Sequence, residues 1–400
     1  MYLMIRLREG RTAIYIRNIL AALLLLLIGF CFAYTIFHIR ESDNKNEVSN
    51  YAGEINVKDY GAKGDNVADD TRAIQAALDA LAEEGAAVLY FPPSIYKITS
   101  PLIVPFMQGK EIRGATSLQS TVQQHTNNVA VFQFTYPDTH SIYMHDLGIS
   151  YRNQQKARDG NAYGIGFGST QGSPNGFYHL MFERLSIAGA AVGIGINQKS
   201  GTQTVWNFSL SDTSFASISK HVIYFNPPTP IGMPMHVYNN IRVMNTGNGI
   251  APKGEAFVFT AVEAEIEHLD IEGWHNTIFY GIGGPNYVVR HVHVEHHVFD
   301  EGADKDLFYL ANGSLTVENL AYQGVSNNTT SVQLFHSDTP EANLYLKQIV
   351  VGMSRNKGGA VVIATQQSTA FIQDVRTNIP VTYPLDSYEK HVRGNVIESN

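Results

Sequence analysis

Cysteine is almost absent: Cys31 is the only one in 400 residues. It lies in an apolar N-terminal run, so the chain beyond that run can form no disulfide. An extracytoplasmic location is therefore permitted by thiol usage but not indicated by it. Positive charge is also short, with 28 Lys and Arg against 36 Asp and Glu, a net charge of −8. No basic run occurs beyond the N-terminus, which argues against a nucleic-acid partner, since binding there needs a concentrated positive patch. The same acidity opposes a polyanionic ligand unless local Arg, Lys or a metal ion compensates. Long apolar runs are scarce too, and the single exception is informative.

That exception spans Ile19 to Ile39, with Leu23 to Leu27 unbroken and His38 its only ionisable residue. Its length matches the roughly 20 residues a helix needs to cross a bilayer. Arg6, Arg8, Arg11 and Arg17 precede it, which places the N-terminus in the cytoplasm. The run is longer than the apolar core of a cleaved signal peptide, and no small-x-small site follows it. The expected organisation is a cytoplasmic tail (1–18), a signal-anchor helix (19–39), a polar linker (40–54) and an extracytoplasmic body (55–395). That makes a single-pass membrane protein facing the periplasm or the cell surface.

The body opens with INVKDYGAKGDNVADDTRAIQAALDALAEEGAAVLYFPPSIYKI, from Ile55 to Ile98. It reads as strand, tight loop, helix, strand. Asp69 and Asp70 stand before a helical pattern with Ile74, Ala77, Leu78 and Leu81 on one face, and one carboxylate should cap the helix. This stretch resembles the opening of the pectate-lyase superfamily, in its rhamnogalacturonase/epimerase-like branch. The departure is Ser94-Ile95-Tyr96 after the paired prolines, where the family often has glycine. The resemblance implies a right-handed, single-stranded parallel β-helix acting on a polysaccharide, with the helix capping its N-terminal end. The opening motif itself carries no chemistry in the family. The paired aspartates of polygalacturonases, the arginine motifs of pectate lyases and the Asp-Pro-His of alginate epimerases are all missing here. The fold carries over; the reaction does not.

Beyond Pro105 short segments recur, each with inward residues at its second and fourth positions. They begin at Asp146, Arg184, Asp212, Asn240, His268, His291, Asn319, Gln348 and Asp374. Their second positions are spaced by 38, 28, 28, 28, 23, 28, 29 and 26 residues. Strand-like alternation at that period, with no helix between, is the pattern of an all-β solenoid whose coils bury their apolar residues by stacking. Gly164–Gly168 and Gly281–Gly284 read as turns, because no helix follows either as a phosphate loop would require.

If Leu269 and Ile271 point inward, His268, Asp270 and Glu272 point outward. In the next coil His291, His293 and Glu295 do the same, with Arg242 one coil before and Gln323 one coil after. Glu272, Glu295 and Asp270 offer the paired carboxylates of glycoside hydrolysis. His293 with Arg242 offers the base and the neutralising cation of a uronate lyase or epimerase. Asp270, Glu272, His293 and Glu295 are thus the candidate catalytic groups. Arg242, His268, Trp274, His291 and Gln323 are the candidate substrate contacts, with Trp274 as a stacking platform. The alternative reading is a solvated ladder of surface pairs. His291, His293, Glu295 and His297 alternate outward as metal ligands would, but neighbours stand about 6.7 Å apart, so an ion would need a ligand from another coil. No metal ligand is assigned and no cofactor is called for; Ca2+ is the ion the exposed carboxylates could take. Two functions follow. One is a membrane-anchored hydrolase or lyase modifying an extracytoplasmic polysaccharide. The other is a non-catalytic β-helix that binds glycan or scaffolds a surface or secretion assembly.

Overall fold

The computed structural model describes residues 53–83, 85–168, 176–197, 204–229, 231–245, 254–299, 306–325, 332–337, 339, 341–354, 361–365, 369–377, 381–382, 391–392 and 397–398. The predicted anchor and linker lie outside the described residues. By its internal contacts the chain divides at Gly53/Glu54. Among the described residues no helix is long and apolar enough to cross a membrane.

From Glu54 onward the chain is a parallel β-solenoid of the right-handed type. Among the described residues it has one sheet of eleven strands and another of eighteen, with every inter-strand pairing parallel. The predicted repeats are the coils, and their register is the predicted one: Ile241 pairs with Leu269, Leu269 with Val292, Val292 with Leu320 and Leu320 with Ile349. All five side chains are buried. Farther toward the N-terminus the same core is aromatic, with Phe134, Phe167, Phe182, Phe208 and Phe225 packed ring to ring.

Every predicted repeat begins with a residue in the left-handed conformation, from Asp146 at φ 55° to Asp374 at φ 56°. These nine residues form one corner of the solenoid, where the chain swings from one outward face to the next. Asn, Asp and His tolerate that conformation best among residues with a Cβ, and they supply seven of the nine positions. The long strands Val205–Ala216, Met233–Met244, Val262–Glu272 and Gly284–Val298 each run through this corner without a break.

The one helix among the described residues, Thr71–Glu83, buries Ile74, Ala77, Leu78 and Leu81, as its periodicity requires. The two acidic residues before it divide the labour. Asp69 accepts the Thr71 amide at 3.1 Å and the Thr99 hydroxyl at 2.6 Å, fixing the helix start to a neighbouring strand. Asp70 is buried and spends its carboxylate on the Lys63 and Gly64 amides of the tight loop, at 2.6 and 3.0 Å.

Two glycine-rich segments differ in part from expectation. Tyr163–Phe167 and Phe279–Ile282 are strands, while the expected turn is present at Gly283, at φ 69°, before the strand that begins at Gly284. The glycine at 164 answers to packing: a Cβ there would stand 2.7 Å from the Gly193 carbonyl of the next coil.

Loss of a stacked core residue should be felt directly. Leu269→Ala should lower stability by about 2–5 kcal/mol, and Val292→Asp should cost more because it buries an unpaired charge. Thermal melts of both variants check this, and a silent Val292→Asp would mean the inward and outward positions are exchanged.

Two buried histidines tie stability to pH. Burial pushes the imidazoles of His221 and His236 down to about 4, and each bonds a backbone carbonyl, of Glu255 and Val205 respectively, at 2.7 Å. In the unfolded chain both titrate near 6.5, so the unfolded state binds more protons between about pH 6.5 and 4. Stability should therefore fall as pH drops through that window. His236→Gln should remove one proton from the slope, about 1.4 kcal/mol per pH unit, readable from denaturant midpoints at several pH values.

Candidate active site

The predicted ladder assembles on the face after the corner. Arg242 pairs with Asp270, Asp270 with His293 and Glu272 with Glu295 across successive strands. Arg242 Nε donates to Asp270 Oδ2 at 3.2 Å. His293 lies between two carboxylates, with Nδ1 3.1 Å from Asp270 Oδ1 and Nε2 3.1 Å from Glu295 Oε1. With a carboxylate at each ring nitrogen the imidazole is held in place from both sides, and it could act as a base only where substrate displaces one of the two. The ladder is open, with Arg242 61% and Asp270 42% exposed, so water competes for each of its pairs. Among the described residues the Nη groups of Arg242 have no hydrogen-bond partner.

His268 and His291 stand at the corner itself, their rings parallel with centroids 4.9 Å apart. Gln323 is exposed but meets the ladder at a bulge: the pairing jumps from Val294–Tyr322 to His297–Gly324, which leaves both Glu295 and His296 opposite it.

Two expectations fail, each for one backbone reason. Trp274 is fully buried and donates its indole N–H to the Thr277 carbonyl at 3.2 Å, so it cannot stack on a sugar. Gly273, at φ 73°, breaks the alternation and turns the next side chain inward. His297 is also buried, its ring between Tyr322 Oη at 3.1 Å and the Asn276 carbonyl at 2.5 Å. His296, at φ 51°, inserts the extra residue of the bulge and sends His297 into the core.

A second cluster, which sequence reasoning missed, occupies the face before the corner. The strands His140–His145 and Phe177–Glu183 place Tyr143, His145 and Glu183 outward, and the corner adds Asp146 and Arg184. The Tyr143 and His145 rings stack at 4.1 Å. His145, nearly buried, has Nδ1 2.6 Å from Asp146 Oδ2 and Nε2 3.1 Å from Glu111 Oε1. Tyr143 donates its phenol proton to Glu183. Arg184 forks onto both Asp146 oxygens at 2.8 and 2.9 Å and also pairs with Glu183. The Arg184 hydrogen bonds hold the Asp146 carboxyl below the usual carboxylate range, with help from His145. Burial, and then Glu183, push the Tyr143 phenol up, so it stays protonated as an acid. Bonding to Asp146 raises the Arg184 guanidinium further.

At the start of the same strands His140, Tyr178 and Trp206 form a stacked column, with centroids 4.5 and 4.7 Å apart. Trp206 is half-buried and stacked in this column, whereas Trp274, which the sequence reading offered as a stacking platform, is not exposed. The signal was available: Trp206 follows Tyr178 by the same 28 residues as the repeat.

The fold now has its relatives. Residues 54–251 match the family described as rhamnogalacturonase A/epimerase, pectate lyase-like. That stretch, just under half of the chain, places residues 54–251 in the pectate-lyase superfamily, in this rhamnogalacturonase/epimerase-like branch. The match includes Tyr143, His145, Asp146, Arg184 and Arg242 and ends before Asp270. Alginate lyase 7 of Azotobacter vinelandii is 52% identical over 46 residues, 12% of this chain and 5% of that protein. A glucan 1,3-beta-glucosidase of Cochliobolus carbonum is 36% identical over 86 residues, 21% of this chain and 11% of its own. The matched segments are thus small parts of those proteins. Among solved structures, the A-module of the Azotobacter vinelandii mannuronan C-5 epimerase AlgE4 superposes with a TM-score of 0.52 at 15% identity. That superposition covers 86% of this chain and 99% of that one. Tailspike protein 2 of the Escherichia coli O157:H7 bacteriophage CAB120 gives a TM-score of 0.53 at 11% identity, over 81% of this chain and 43% of that one. Identities this low speak to the fold alone.

Proposed function

We propose that the chain is a membrane-anchored, extracytoplasmic enzyme that modifies an acidic polysaccharide by proton transfer, as a lyase or an epimerase does. One observation carries this reading: the stacked Tyr143 and His145 rings stand beside Arg184, so a phenol, an imidazole and a guanidinium share one cluster, with the imidazole open to a substrate only where Glu111 gives way. Breaking a C–H bond next to a uronate carboxylate needs those three parts. The imidazole takes the proton, the electron pair spreads into the carboxylate, and a cation steadies the charge. A protonated phenol then returns a proton, either to a departing glycosidic oxygen or to the carbon from the other side. Hydrolysis asks instead for two carboxyl groups and no base on carbon. The short sequence matches to an alginate lyase and to mannuronan C5-epimerases support the substrate class.

The ladder of Arg242, Asp270, His293 and Glu295 favours a second placement of the same chemistry, since it too joins a fixed imidazole to a guanidinium. Variants separate the two. Tyr143→Phe keeps the ring stack and removes the acid, and should lower turnover by about a hundredfold or more on an alginate- or pectin-type polymer. Unsaturated product is followed by ultraviolet absorbance and epimer content by NMR. Asp270→Asn and Glu295→Gln should produce that loss only if the ladder is the catalytic centre, and neither should lower stability much on so exposed a face. Reducing ends appearing without unsaturated sugar or inverted C5 would make the enzyme a hydrolase. Full activity in all three variants, with a cleaved polymer in hand, would remove both sites. Tight glycan binding with no product would favour the non-catalytic scaffold.

The Ile19–Ile39 run and its arginine flank support the anchor. Full-length protein should fractionate with membranes, resist alkaline carbonate and expose its C-terminus to external protease. A soluble mature chain beginning near Arg40 would overturn the anchoring.

A further inference from the structure

The corner of the solenoid brings together three groups that neither proposed centre uses as acid or base. Glu267, His268 and His291 each offer one ligand atom, and these atoms lie within 4.8 Å of one another. Two come from one coil and the third from the next. His291 Nδ1 is 2.5 Å and His268 Nδ1 is 4.0 Å from the same oxygen, Glu267 Oε1. The histidines stand side by side because both occupy the left-handed corner, at φ 55° and 53°, and not because a core holds them there. Their parallel rings therefore point the same way out of successive coils.

From this geometry we infer a binding site for a divalent cation of the Zn2+ class, held by Glu267, His268 and His291 and stapling two coils together. Zinc binds imidazole nitrogen and carboxylate oxygen at about 2.0–2.2 Å, which puts ligand atoms on a tetrahedral ion about 3.3 Å apart. Reaching that from the present spacing takes shifts of about 1.5 Å or less, by rotation of exposed side chains. One neighbour suits the outer sphere and another must yield. Asn319 Nδ2 lies 3.2 Å from His291 Nε2, whereas Asn239 Oδ1 lies 3.3 Å from His268 Nδ1, the nitrogen the ion would take. With its amide turned, Asn319 accepts the Nε2 proton of a metal-bound His291, the second contact that orients a ligating ring. The local charge is also right. Arg290 lies 3.8 Å from Glu267, but Glu265 and Glu318 hold it at 2.5 and 3.2 Å. Three carboxylates thus face Arg290 and Lys347, an excess of one negative charge that a cation relieves. Three protein ligands leave a fourth position for water. The site differs from the sequence-level metal pattern because its residues gather at a turn, and alternation along one strand had set them too far apart.

The test uses the full-length chain, stripped with chelator and titrated with Zn2+ alone by calorimetry. Co2+ reports geometry through its visible bands. We expect one ion per chain in the micromolar range, a raised melting temperature and tetrahedral Co2+ absorption. His268→Asn and His291→Asn keep a residue that tolerates the left-handed corner, so they remove the ligand and spare the turn. Each should weaken Zn2+ by about tenfold or more, and the double variant should abolish binding. Glu267→Gln, which leaves the corner untouched, should also weaken it. His296→Asn, a left-handed position outside the cluster, should change nothing. Absence of Zn2+ binding to the wild type would overturn the inference. So would unchanged affinity in Glu267→Gln together with either corner variant.

Discussion

Most of the architecture rests on a single backbone conformation repeated at one corner. From Asp146 to Asp374 each coil turns from one outward face to the next through one residue at positive φ, whereas the two earlier coils turn through Pro92-Pro93 and through residues 115–119. For a residue with a Cβ this costs roughly 1–2 kcal/mol, and the stacked core on either side must offset it. A corner one residue long leaves no slack, so columns on both faces stay straight across many coils. Everything chemical inherits that regularity. Asp146 and Arg184 meet because both are corner residues, and so do His268 and His291. Asp270 and His293 meet because both stand two positions beyond it.

That conformation also explains what could be read in advance. The corner residues were visible as the polar first members of the repeats, and the apolar second and fourth positions gave the register correctly from Thr213 to Val375. Alternation failed only where a further residue adopts positive φ. Gly273 hides Trp274, and His296 hides His297. A glycine is at least a warning in a sequence. A histidine followed by another histidine gives none, because nothing in its chemistry says which of the two will bulge.

The Tyr143–Arg184 cluster was missed for a different reason. The repeats were recognised from the corner onward, so the strand before it went unread. Ile142 and Met144 alternate with Tyr143 and His145 as cleanly as Leu269 and Ile271 do with Asp270 and Glu272. What sequence could not supply is the partner. Glu111 comes from the preceding coil, 34 residues from His145, and Arg184 follows at 39. Those intervals depart from the common 28 because the early coils carry longer excursions.

The acidic balance shapes how any anionic polymer would engage this surface. Arg184 is already bound to Asp146 and Glu183, and Arg290 to Glu265 and Glu318. A sugar carboxylate reaching either guanidinium must displace a carboxylate of the protein, and one ion pair for another yields little net Coulomb energy. Arg242 differs: among the described residues only its Nε is bonded, to Asp270, and its side chain is exposed. Binding energy on such a face has to come from many modest contacts repeated along the coils, including the aromatic column of His140, Tyr178 and Trp206. A rod suits that requirement. It presents stacked columns coil after coil to a polymer that repeats as well, and a backbone already fixed by its sheet pairing has little further freedom to lose on binding.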